Sequence, residues 1–124
     1  MRRKIRIRAW DSRTKKMIYR FFEPTNQEPA YQYILTQNAK GHLAVYCEGD
    51  GISLPLMEYV GQNDQKNHRI YEGDILIDKD GWRGEVVYLQ DGFLCLATDG
   101  SNDWTIDWEH LEIIGNIYEG EKND

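Results

Sequence analysis

Long apolar runs are missing from this sequence. No stretch approaches the roughly 20 residues that a membrane-crossing helix needs, and the basic start, Met1 to Arg8, is followed by no apolar h-region. Neither secretion nor a membrane partner is expected. Cysteine is also scarce: Cys47 and Cys95 sit in strand-like apolar runs, where they read as reduced core residues rather than a disulfide. A reducing cytoplasm fits that usage. Runs of good helix formers are few, whereas eight Tyr, four Trp and three Phe accompany eleven Gly, a mixture that favours short strands joined by tight turns. The expected class is all-β.

Positive charge is scarce in one half only. The formal charge of −6 divides into twelve Lys or Arg against seven Asp or Glu over residues 1–69, and three against fourteen over residues 70–124. Such an acidic balance argues against indiscriminate DNA binding, yet a polarised chain still presents one basic face.

The signatures of familiar chemistry are missing as well. His42, Cys47, His68, Cys95 and His110 follow no CxxC, HxH or HExxH spacing, and Asp99, Asp103, Asp107 and Glu109 follow no EF-hand pattern. There is no GxSxG, no Walker A motif and no GxGxxG after a strand. The expectation is a protein that is not an enzyme, with no metal and no cofactor.

What is present is a succession of short strands. Ile5, Ile7 and Ala9 alternate with Lys4, Arg6, Arg8 and Trp10, which predicts a half-buried strand. Asp11 to Lys16 reads as a turn, and Met17 to Phe22 returns beside the first strand. Tyr31 to Thr36 and His42 to Glu48 predict a second hairpin, with a short helix over Pro29 to Asn38 as the alternative. Pro55 to Tyr59 is a further short strand. From residue 69 the pattern predicts five strands, Ile75 to Asp78, Gly84 to Leu89, Phe93 to Thr98, Trp104 to Trp108 and Ile113 to Tyr118. That count suits a small closed barrel without exposed edges. The expected organisation is an amino-terminal β-meander over 1–68 and an acidic barrel over 69–124.

Several separated strings carry a family resemblance. They are Ile5 to Asp11 with Lys16-Met17, Leu56 to Gly61, Asp64, Lys66-Asn67, Ile70 to Ile75, Gly84 to Val87, Gly92-Phe93 and Glu112 to Glu119. On these residues the chain resembles the YopX family of phage and prophage proteins, with residues 23–55 outside the match. The resemblance implies an SH3-like barrel and a phage or prophage setting in a bacterial host cell, and it brings no catalytic activity with it. The chain departs from the family pattern at Val60, where Thr is usual, and at Asn67-His68, where Asn-Gly is usual.

The family-like turn Tyr71, Glu72, Gly73, Asp74 reads first as structure, a tight entry into the barrel with a carboxylate capping backbone amides, and second as a ligand site on Glu72 and Asp74. The amino-terminal cluster is more pointed chemically. Nine Lys or Arg fall within the first twenty residues against the single acid Asp11. In an extended strand Lys4, Arg6 and Arg8 recur about every 7 Å on one face, and Trp10 there is placed to stack on a base. The competing use of that face is pairing with the acidic half of this chain or of another copy. Trp104 and Trp108, expected on one face of their strand, are the candidate anchors of such an interface. The favoured function is a homo-oligomeric or protein-binding module, with nucleic-acid binding as the alternative.

Overall fold

The computed structural model describes residues 6–19, 33–37, 43–47, 53–89 and 92–121, the segments 33–37 and 43–47 by backbone alone. It is almost entirely β, as the composition implies. The chain divides into two compact units, Ile7–Met57 and a second made of Met1–Arg6 with Glu58–Asp124. The change of charge balance at residue 69 falls inside the second unit.

In the first unit β1 (Ile7–Asp11) pairs antiparallel with β2 (Lys16–Ile18), setting Trp10 opposite Met17. The connecting turn works because Asp11 Oδ1 accepts from the Arg13 amide at 3.0 Å, an Asx-type bond that reverses the chain, and Lys15 takes a left-handed φ of 56°. β3 (Tyr33–Gln37) and β4 (Leu43–Cys47) form an antiparallel hairpin, and β5 (Ser53–Leu54) adds to its second strand. Strand, not helix, therefore holds over 33–37, where β-prone Tyr and Ile outweigh the helix start offered by Pro29. The remaining residues of the alternative helix over Pro29 to Asn38 lie outside the described residues, as do Arg20 to Phe22 of the second expected strand.

β6 (Leu56–Asn63) runs across the boundary between the units and pairs with β7 (Arg69–Tyr71) through a bulged register. Six strands follow as one antiparallel sheet: β8 (Asp74–Ile77), β9 (Arg83–Leu89), β10 (Gly92–Ala97), β11 (Trp104–Thr105), β12 (Glu112–Asn116) and β13 (Gly120–Glu121). Their spatial order is β11-β10-β9-β8-β12-β13, so three consecutive hairpins are followed by a strand that returns to the first. A single 3-10 turn, Trp108–His110, makes that return. This is the connectivity of the expected SH3-like barrel.

Two details differ from the sequence reading. The sheet curls into a half-barrel, and among the described residues no ladder joins β11 to the other end of the sheet. The strand expected over Trp104 to Trp108 stops at Thr105, because Asp107 and the 3-10 turn divert the chain and send Trp108 inward.

The core of this unit is built from Ile70, Leu76, Val86, Cys95, Trp108 and Leu111, with Val60, Trp82, Phe93 and Ile113 packed against it. Alternation along β10 places Cys95 and Ala97 inside and leaves Leu94 and Leu96 half-exposed on the other face. Gly84 permits close packing at the core's edge: a Cβ there would stand 2.5 Å from Cys95 Sγ and 2.7 Å from the Trp82 ring. Among the described residues no helix is long and apolar enough to cross a membrane.

Candidate functional site

The family-like strings resolve into turns held by buried side chains. Gly73 has a left-handed φ of 83°, which lets the chain reverse between β7 and β8. Asp74, 2 % exposed, accepts from the Tyr71 amide through Oδ2 at 2.8 Å. Glu72 accepts from the Glu58 amide through Oε1 at 3.0 Å, while its own amide donates to the Glu58 carbonyl. Burial pushes the Glu72 carboxyl above its ordinary value, the Glu58 amide opposes that, and the Glu58 charge adds to the rise. Tyr71 is buried, with its ring centroid 5.8 Å from that of Tyr59.

The same logic recurs at two other strings. Asp64 is buried and takes three amides at once: Lys66 and His68 donate to Oδ1, and Ile113 of β12 donates to Oδ2, all within 2.9–3.0 Å. Asn67 supplies a left-handed φ of 64° in that loop, so the family's Asn-Gly is met by Asn alone. Asn116 accepts from the amides of Tyr118 and Glu119 and donates to the Glu119 carboxylate, closing the turn into β13. Asp64 by itself, and Asn116 within its string, carry the family resemblance in the sequence, but neither was assigned a role there. The signal was present, since a lone Asp or Asn ahead of a turn is an amide acceptor by type.

The basic strand is less open than alternation suggested. Arg8 is only 3 % exposed and Asp11 is fully buried, so β1 is covered on both faces at its centre, and Arg6 and Trp10 are half-buried. Asp11 also engages the Arg13 guanidinium, Nε to Oδ1 at 3.2 Å and Nη2 to Oδ2 at 3.3 Å. The exposed cations of the first hairpin are Arg13 and Lys15 in its turn and Lys16 at the start of β2. Lys4 lies outside the described residues.

Trp104 and Trp108, expected to share a face, part company. Trp108 belongs to the core, whereas Trp104 is 58 % exposed and Ile106, two residues on, 59 %. Trp104 pairs across the ladder with Leu96, and Val87 sits opposite Leu94, so one face of β9–β11 carries a run of apolar side chains ending in an exposed indole. Within five residues of Trp104 along the chain lie the exposed carboxylates Asp99, Asp103, Asp107 and Glu109. A hydrogen bond from the Ser101 amide holds the Asp99 carboxyl below its ordinary value.

Other chemistry is thin here. Cys95 is buried and its thiol is pushed up to about 12 by burial and by Glu85, which keeps it protonated at neutral pH. Asp107, Glu109 and His110 bring one ligand atom each within 4.8 Å of one another, but all three are exposed and among the described residues no buried ligand joins them.

Comparison with known proteins completes this picture. No curated protein matches the chain. Among solved structures it is similar to the crystal structure of protein EF1440 from Enterococcus faecalis, with a TM-score of 0.58 and 19 % identity over 94 % of each chain, a likeness of fold. The model of the YopX protein family matches residues 6–122. With almost its whole length matched, the chain belongs to the YopX family.

Proposed function

We propose that this protein is a non-catalytic module that binds protein, a second copy of itself or another chain, through the exposed face around Trp104. The proposed setting is a phage or prophage genome and the cytoplasm of a bacterial host, which rests on the family resemblance. The observation that carries the binding reading is the exposure of Trp104 and Ile106 at the end of the apolar run Val87, Leu94 and Leu96. A large, rigid indole left in water beside other apolar side chains is the usual anchor of a protein interface. The polar rim that such interfaces need is supplied by the carboxylates around it.

The nucleic-acid alternative is weaker because Arg8, at the centre of the basic strand, is withdrawn from solvent. The carboxylates around Trp104 repel phosphate, and no Lys or Arg occurs between residues 84 and 121.

A photo-crosslinking residue placed at Trp104, compared with one at exposed Asp80, tests the reading in bacterial cells. A discrete protein adduct from position 104 and not from position 80 is the expected result. Absence of an adduct at 104, or adducts that vanish on nuclease treatment, would overturn it.

A further inference from the structure

The face around Trp104 has a charge that decides what fits it. From Gly84 to Glu121 the chain carries nine Asp or Glu and no Lys or Arg, and Asp99, Asp103, Asp107 and Glu109 are all exposed. A two-fold contact of this face with its own copy would bring like-charged rims together, which disfavours the commonest form of self-association. The occupant must instead bring positive charge around an apolar contact. The first hairpin supplies groups of both kinds: Arg13 and Lys15 in its turn and Lys16 at the start of β2 are exposed, and Tyr19, just beyond β2, is 53 % exposed.

We infer that the Trp104 face of one molecule receives the Lys15–Lys16 hairpin turn of a second copy, so that the chains associate head to tail. This rests on the reading of the Trp104 face as a protein-docking surface. Tyr19 and Trp104 form the apolar part of the contact, while Lys15 and Lys16 face Asp103 and Asp107. Because donor and acceptor surfaces differ, a pair of molecules keeps one of each unused, and the association closes into a ring or extends. Its strength falls as salt rises, since all four charges are exposed.

The test is a charge exchange, read by light scattering and sedimentation over a range of concentrations at low salt. Asp103→Lys with Asp107→Lys inverts the acidic face, and Lys15→Glu with Lys16→Glu inverts the turn. All four side chains are exposed; Asp107 makes no side-chain cap bond to the 3-10 turn, though its Oδ2 stands 3.3 Å from His110 Nδ1 at the end of that turn. Thermal melts check that both variants remain folded. The wild type is expected to self-associate, each double variant to do so at least roughly tenfold more weakly, and their equimolar mixture to recover complex, because the inverted face now matches the inverted turn.

A wild type that stays monomeric at low salt overturns the inference, as does association indifferent to both variants or not restored by mixing. If the crosslink at position 104 captures a protein of another mass while the chain is monomeric, the docking reading stands and the head-to-tail inference falls.

Discussion

Glu72 shows how a side chain can be held at some electrostatic cost for the sake of a turn. Its carboxylate is the acceptor for the Glu58 amide, yet burial and the neighbouring Glu58 charge raise its pKa above the ordinary 4.5. A carboxyl whose folded pKa is raised contributes stability that is fully present below the unfolded value and lost as pH rises through the folded value. Glu72→Gln keeps an oxygen for the Glu58 amide and removes the charge. Its melting temperature is therefore expected to equal or exceed that of the wild type at pH 7, and to depend less on pH just above 4.5. Wild-type and variant profiles that run parallel across that range would remove Glu72 from the account. The sequence made this turn visible through its Glu-Gly-Asp string, but not the partner of Glu72, because Glu58 lies fourteen residues away and only pairing of β6 with β7 brings it near.

Among the elements, the loop between β6 and β7 depends on one residue. Asp64 joins three amides, two in its own loop and one in β12, and it is 5 % exposed. Asp64→Ala leaves those donors without their carboxylate, a change expected to cost roughly 2–4 kcal/mol given the usual worth of hydrogen bonds to a charged acceptor. Urea unfolding of Asp64→Ala measures this, and a loss within about 0.5 kcal/mol would mean that water replaces the carboxylate freely. Most strands of this unit were legible because β-branched and aromatic runs are separated by Asp-Gly and similar turns, as at Asp99-Gly100. The division of Trp104 from Trp108 was not legible. Their spacing fits a strand as well as it fits a strand followed by a 3-10 turn, and only the burial of Trp108 against Leu111 and Val86 decides between them.

At the scale of the whole molecule, the polarity of charge along the chain suggested phosphate recognition, and burial changes its meaning. The alternation of Lys4, Arg6, Arg8 and Trp10 counted residues along one side of a strand, but counting cannot reveal that Arg8 is covered. An arginine withdrawn from water is neither placed to replace the counterions of nucleic acid nor able to contribute to the salt dependence that such replacement creates. Among the described residues the exposed cations are Arg13, Lys15 and Lys16 in the first hairpin and the scattered Lys66, Arg69, Lys79 and Arg83, within a chain of net charge −6. Titration of labelled single- and double-stranded DNA and RNA is therefore expected to give no binding tighter than the ordinary non-specific range of about 10⁻⁴–10⁻⁶ M at physiological salt. Lys15→Glu with Lys16→Glu should abolish whatever weak binding appears at low salt. Tight binding that falls steeply with salt and survives those two substitutions would require phosphates to reach other cations, such as Arg6, Arg13, Lys66, Arg69, Lys79 and Arg83, and would make nucleic acid, not protein, the ligand of this fold.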